Sequence, residues 1–285
     1  MKAEARIVAE TDGRGGTRLA VLRGQSPLLL RRTGPRTTGG VTVHLVGGAA
    51  GPLRGDELRL DIEVGPGAWL ELLSVAAQLA LPGRPAPASR LTITATVAAG
   101  GTLRWIPEPL IAAAGCDHVA VTRVAVEAGG SLLWRDDLVC GRHGETSGDF
   151  VADTLVRYDG SALYRHELAV GPRAPGWTGA AVLGSARAIG TVITAGPDSA
   201  IRADLGPDSA IRADLGQQTA VRGNAGPATV TTPTVAVMPL AGPGLLATAV
   251  GADIREVRAA LDPFCAAHVT AQRPTNAQPR IPAAA

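Results

Sequence analysis

Three stretches of this 285-residue chain close a strand pattern in the same way. They are Val64-Gly65-Pro66-Gly67-Ala68-Trp69-Leu70, Val97-Ala98-Ala99-Gly100-Gly101-Thr102-Leu103 and Val126-Glu127-Ala128-Gly129-Gly130-Ser131-Leu132. A looser fourth copy is Val156-Arg157-Tyr158-Asp159-Gly160-Ser161-Ala162-Leu163, and the four valines lie 33, 29 and 30 residues apart. Apolar and polar residues alternate before the first three, along Arg59 to Val64, Leu91 to Val97 and Val119 to Val126. Period two with β-branched enrichment predicts strands. Gly-Gly and Asp-Gly supply the positive φ that tight hairpin turns require. A repeat near thirty residues predicts stacking, with each unit burying its face against the next. The expected fold is mainly β: a two-layer, β-helix-like stack of short strands and hairpins with one or two short helices near the C-terminus. An ordinary antiparallel meander with similar turns is the alternative.

Helix signals are sparse. Ser74 to Leu81 is one candidate. Asp253 to Leu261 is clearer, with Asp253 as cap, helical spacing of Ile254, Val257, Arg258 and Leu261, and Pro263 expected to stop it. Residues 1–271 read as one domain. Within it, residues 196–205 and 206–215 repeat Gly-Pro-Asp-Ser-Ala-Ile-Arg-Ala-Asp-Leu. Two copies do not make a solenoid, and a duplication carried in a surface connection is the simpler reading. The tail 272–285, rich in proline and without an apolar run, is expected to be disordered.

Composition narrows the function. A net charge of +2 argues against an electrostatic nucleic-acid binder. Lys2 is the sole lysine, which removes lysine as a catalytic base. Three widely spaced cysteines give no disulfide framework and suit a reducing cytoplasm. The first residues lack an apolar signal core, and Ala68 to Pro82 is interrupted by Glu71 and Gln78 and too short to span a membrane. There is no Gly-x-x-x-x-Gly-Lys-[Ser/Thr] loop, no Gly-x-Ser-x-Gly and no His-Glu-x-x-His.

Several residues carry chemistry. Pro107 and Pro109 bracket Glu108 and hold its carboxylate on a stiff, extended backbone. Asp136 and Asp137 are adjacent, so on a strand they point to opposite faces. In Gly141-Arg142-His143-Gly144-Glu145, Glu145 is placed either as an ion-pair partner of Arg142 or as a relay carboxylate. Asp56 after Gly55 reads first as a turn residue, and Glu167 lies on the strand pattern Leu163 to Val170. Each cysteine has a histidine nearby: Cys116 with His118, Cys140 with His143, and Cys265 with His268. Thiolate and imidazole suit Ni²⁺ and Zn²⁺. Two ligands fall short of the four of a structural zinc site, which leaves a weak, transient site or buried thiols beside unrelated histidines.

These elements together resemble the urease accessory protein family UreD, also called UreH, over roughly residues 10 to 265. The carriers are Gly55-Asp56, Val64 to Leu70 with Ser74-Val75-Ala76-Ala77-Gln78, Leu103 to Pro109, and Asp136-Asp137-Leu138-Val139-Cys140-Gly141-Arg142-His143-Gly144-Glu145. Leu79 to Pro85 and the duplicated decapeptide depart from the family pattern. The resemblance implies a non-catalytic, cytoplasmic factor for nickel urease. Such a factor binds the urease apoprotein, recruits UreF-like and GTPase UreG-like partners, and passes nickel through an internal channel. It implies no tightly bound cofactor, only Ni²⁺ in transit. On that reading Asp56, Glu108, Asp136, Asp137, Arg142, Glu145 and Glu167 are candidates for the nickel path, and Cys116, His118, Cys140 and His143 for transient metal contact. Two rivals stand beside it: a cytosolic β-helix carbohydrate-active enzyme using Asp136 and Glu145 as an acid pair, and a purely structural β-stack. Eight aromatics (four Trp, two Tyr, two Phe) are few for a sugar cleft.

Overall fold

A computed structural model describes residues 1–34, 39–197 and 234–272. The expected decapeptide loop and the tail beyond Gln272 fall outside the described residues, apart from Gly196 and Pro197. The elements in chain order are β1 (Lys2–Thr11), β2 (Thr17–Gly24), β3 (Leu28–Thr33), β4 (Val41–Gly47), β5 (Glu57–Val64) and β6 (Trp69–Ser74). Then come β7 (Gln78–Ala80), β8 (Ser89–Val97), β9 (Thr102–Ile106), β10 (Leu110–Ala112), β11 (Asp117–Val126) and β12 (Ser131–Cys140). The last are β13 (Asp149–Tyr158), β14 (Ser161–Val170), β15 (Ala188–Ala195), β16 (Thr234–Pro239), β17 (Gly244–Gly251) and α1 (Ile254–Gln272).

The strands form two facing sheets. The first runs β14-β13-β11-β8-β5-β1-β2, and the second runs β16-β17-β15-β12-β9-β6-β4-β3, with β7 and β10 paired beside β12. Strands β1, β5, β8, β11 and β13 are parallel neighbours, as are β4, β6, β9 and β12. This is the stacked β-solenoid architecture of about four turns, closed by antiparallel strands at its edges.

The repeated turns are not hairpins. In the first three, the chain leaves one sheet and enters the other: β5 leads to β6, β8 to β9 and β11 to β12. Gly67, Gly100 and Gly129 each take a positive φ, at 67°, 71° and 82°. Each arc rests on the one before it through its backbone: Ala98 N–H donates to Val64 O at 2.9 Å and Glu127 N–H to Val97 O at 2.9 Å. A side chain at position 101 would place its Cβ 2.9 Å from Gly65 O, so the stacking itself demands glycine there. Only the fourth copy is a true hairpin. Asp159 and Gly160 both take positive φ, at 48° and 76°, and β13 turns back antiparallel into β14. Two consecutive positive-φ residues reverse a chain within one sheet.

Two helix expectations change. Ser74 to Leu81 is not helical: β6 ends at Ser74, and β7 pairs in parallel with β10, Leu79 opposite Ile111. Strand pairing overrides local propensity there. Pro263 does not stop α1, which continues to Gln272. Val257, Leu261 and Cys265, spaced by four, are buried against the second sheet, while Pro263 is exposed on the opposite side. That apolar anchoring offsets the hydrogen bond proline cannot make.

The helix comes close because residue 190 is glycine. A Cβ there would lie 2.5 Å from Asp137 Oδ1, 2.7 Å from Leu261 Cδ1 and 2.8 Å from Val257 Cγ1. Gly190→Ala is expected to lower unfolding free energy by about 1–3 kcal/mol, the usual range for overpacking. Chemical denaturation of the purified variant checks this; an unchanged midpoint would mean that the helix does not need the contact.

Candidate functional site

A cavity of about 500 Å³ lies between the sheets. Its shape follows from the ladder of residues across the first sheet. One rung reads Leu58, Leu91, Ala120, Ala152, Leu168. The next reads Leu60, Ile93, Thr122, Thr154, His166. Along these rungs, from β5 to β13, leucine gives way to alanine and isoleucine to threonine. The space therefore widens and turns polar as it passes β11 and β13. Above it, Ile7, Ile62, Val124 and Val156 belong to one closed apolar cluster; below it, Cys116, Cys140, Phe150 and Val170 form another.

From the second sheet, Trp105, Asp136, Leu138, Ile189, Thr191 and Ile193 face the same space. Asp136 is its central acid. Trp134 Nε1–H donates to Asp136 Oδ2 at 2.8 Å and Trp105 Nε1–H to Oδ1 at 3.4 Å. The two indoles stack, with centroids 5.1 Å apart. Enclosure by protein pushes the Asp136 carboxyl up to about 6, against the pull of both indole donors. The residual accessible surface of Asp136 is consistent with this, because its side chain faces the cavity rather than bulk water. Tyr164, also lining the space, is pushed up to about 12 by burial and then by the charge of Asp136.

Four of the acids expected from sequence line the cavity: Asp56, Glu108, Asp136 and Asp137. Asp56 is buried at one end, accepting Leu53 N–H at 2.9 Å and the Met1 ammonium at 2.7 Å, so it both forms the turn and faces the space. Glu108 sits at a gap in the second sheet beyond the end of β9. Its N–H donates to Ser74 Oγ at 2.8 Å, and its carboxylate pairs with Arg258 of α1. Asp136 and Asp137 do point to opposite faces. Asp137 turns under α1, where Arg135 Nε–H donates to its Oδ2 at 2.8 Å. Burial raises the Asp137 carboxyl, opposed chiefly by Arg135.

The remaining candidates lie elsewhere. Arg142 is exposed after β12 and is locked to Glu145. That partner, first of all, and two backbone N–H groups hold the Glu145 carboxyl at about 2. The pair is structural in its geometry, and neither residue lines the cavity. Asp136 and Glu145 are thus not brought together around one cavity as an acid pair. Glu167 is exposed on β14 between the cavity-lining His166 and Leu168, so it points away from the space.

Cys116 and Cys140 are buried, and burial lifts both thiols to about 11. They stay protonated and are poor ligands. His118 is buried, with Nδ1 2.9 Å from Ser89 Oγ, Nε2 without a hydrogen-bond partner among the described residues, and a pKa lowered to about 4 chiefly by burial. His143 is exposed in the loop after Cys140. Among the described residues, no group of three or more His, Cys, Asp or Glu is placed to hold a metal ion. Thr122, Thr154, Thr191 and His166 were not picked out from the sequence. Thr122 carried a usable signal, since it is in phase with the buried Val124 and Val126.

The UreD urease accessory protein family model matches residues 1–283. The chain belongs to the UreD family. Urease accessory protein UreD 3 of Streptomyces griseus subsp. griseus is 40% identical over 92% of this chain and 95% of the relative. The urease accessory protein UreD of Streptomyces coelicolor is 39% identical over 92% of this chain and 94% of its own length. That of a Parafrankia species is 38% identical, covering 92% and 87%. The role of this UreD member therefore lies in urease maturation. No helix among the described residues is long and apolar enough to cross a membrane.

The raised Asp136 carboxyl has a stability signature. In the unfolded chain it titrates near its ordinary value of 3.8; in the folded chain it titrates at about 6. Between those values the folded state holds the extra proton, so stability from this group falls as pH rises through the window. Asp136→Asn is expected to flatten stability between about pH 4 and 6 and to raise it at pH 7 by up to roughly 3 kcal/mol. Denaturation series at several pH values check this, and an unchanged slope would place the shift elsewhere.

Proposed function

We propose that this UreD member works in the cytoplasm as a non-catalytic conduit. It binds the urease apoprotein together with UreF-like and UreG-like partners and passes Ni²⁺ through the inter-sheet cavity toward the urease active site. The observation that carries the reading is a 500 Å³ cavity lined by Asp56, Glu108, Asp136 and Asp137 in a member of a urease accessory family. The absence of a phosphate-binding loop from the sequence suits a chain that borrows its GTPase from a partner.

The chemistry of the lining fits cargo better than a resident ion. The cavity presents carboxylate, hydroxyl and imidazole groups, and its lining includes none of the three cysteines. Hard oxygen donors leave a dication most of its water shell. A path conducts when each site binds well enough to admit the ion and weakly enough to release it. Single, separated carboxylates do this, whereas a closed four-ligand cage does not. Asp136 is fixed by two indoles, so it offers charge at a constant position without having to reorganise.

The test fills the space without touching an acid. Ala120 lines the cavity, and its rung partner across the register is Ala152. Ala120→Phe is expected to leave circular dichroism and capture of the urease apoprotein unchanged while urease nickel content, measured after co-expression with the accessory partners, falls severalfold. Full nickel loading with the cavity filled would end the conduit reading.

A further inference from the structure

Asp136 stands where the second sheet is open. β9 ends at Ile106, and its register with β12 stops at Trp105 beside Trp134, so Asp136 has no strand neighbour on that side. Trp134 precedes it by two residues and shares its face of β12. Trp134 and Trp105 occupy one rung with Leu72 and Ile193, all four of them buried. Filling that rung calls only for apolar volume, which the leucine and isoleucine supply. Two indoles bring an N–H each as well, and a buried N–H must find an acceptor. Both find the same one, taking the two oxygens of a single carboxylate, one apiece.

The other acids of the lining are held differently. Glu108 pairs with Arg258, Asp137 with Arg135 at 2.8 Å, and Asp56 with the Met1 ammonium at 2.7 Å. Each of those partners is a cation and cancels the charge it holds. Asp136 pairs with no cation among the described residues, and the neighbouring charge that bears on it is an acid, Asp137. A neutral N–H donor fixes the position of a carboxylate and favours its ionised form while leaving its net charge in place. The ring stack, with planes 19° apart, keeps both donors from swinging away.

We propose that Trp134 and Trp105 are positioning residues for Asp136: they take the place of a salt bridge, and so leave one acid of the cavity anchored but uncancelled. Trp134, at 2.8 Å, is the principal donor, and Trp105, at 3.4 Å, the lesser one. An arginine in their place would hold the carboxylate as firmly, but its charge would repel a cation in the same space. The ionisable groups that share the lining with Asp136 are Tyr164 and His166 of β14, with Asp56 and Glu108 further along. The strands β9, β11, β13 and β15 contribute none, and Asp137 turns the other way. What the pair does for passage rests on the conduit reading above; that it sets the position and ionisation of Asp136 is a separate claim.

The experiment compares the full chain with Trp134→Phe, which keeps a ring in the stack and removes the closer donor. Chemical denaturation is followed at a series of pH values. In the parent, the contribution of Asp136 to stability falls with rising pH until the group has ionised, at about 6. Losing the donor disfavours the ionised form, so in the variant the fall is expected to run about one pH unit further, a tenfold change in proton affinity. Trp105→Phe should extend it by less, and that variant repeats the measurement if Trp134→Phe does not fold. Adding Asp136→Asn to either variant should abolish the shift, which a merely structural role for the rings would not do. An unmoved window in both phenylalanine variants overturns the proposal, as does a shift that persists with Asp136→Asn. Urease nickel content after co-expression separates the two claims. With Asp136 half protonated near neutral pH, Trp134→Phe should lower it about twofold. A moved window with full nickel loading keeps the positioning pair and ends the part of Asp136 in a conduit. Lost loading in Asp136→Asn with an unmoved window in the phenylalanine variants keeps the conduit and overturns the pair.

Discussion

Each turn of this protein hangs on the one before it by main-chain hydrogen bonds at the arcs. Gly65 N–H donates to Ala9 O at 2.8 Å, Ala98 to Val64 at 2.9 Å, Glu127 to Val97 at 2.9 Å and Asp159 to Val126 at 2.8 Å. Those bonds fix the register of five parallel strands at once. A slip of one residue would send every inward side chain to solvent. Register in turn decides what meets what between the sheets. Val64, Val97 and Val126 stack on one rung and close the core, while Ala120 and Ala152 stack on another and open it. The cavity is a consequence of small residues falling on the same rung, not of a missing element.

Magnitudes say what the cavity must contain. A dry void of about 500 Å³, at about 24 cal/mol per Å³, would cost roughly 12 kcal/mol. That equals the whole stability of a typical domain. The space is therefore water-filled, and its lining is suited to water: Thr122, Thr154, Thr191, Tyr164, His166 and Asp136 can each hold it. On the conduit reading proposed above, the same groups serve a hydrated cation in passage. Stability and the proposed passage thus ask for the same residues at this level of the stack.

Much of the fold was legible because periodicity and turn chemistry are local. The strands ending in Val64, Val97 and Val126 stand where alternation places them, and the stacked architecture follows from their spacing. What the turns do was not legible. One glycine at positive φ arches the chain across to the second sheet, while two consecutive positive-φ residues at Asp159 and Gly160 fold it back into the first. The segment Gln78 to Ala80 is a strand only because Leu110 to Ala112 lies beside it, 32 residues later. Of the site, the opposite orientation of Asp136 and Asp137 and the bracketed Glu108 were readable from backbone rules. The partners were not. Trp105 reaches Asp136 from the neighbouring strand, and Arg258 reaches Glu108 across 150 residues of sequence.

Two consecutive residues on β12 couple the interior to the helix. Asp136 faces the cavity and Asp137 faces α1, so any change of register or twist that moves one moves the other. Gly190, opposite Asp137 on β15, keeps that coupling tight by letting Val257 and Leu261 approach within contact distance. Arg104 adds a second tie, donating from the neighbouring strand to Cys265 O at 3.2 Å. The helix is thus clamped to the sheet by apolar contacts and buried cations, and through Arg258 it also pairs with Glu108, a residue that lines the cavity.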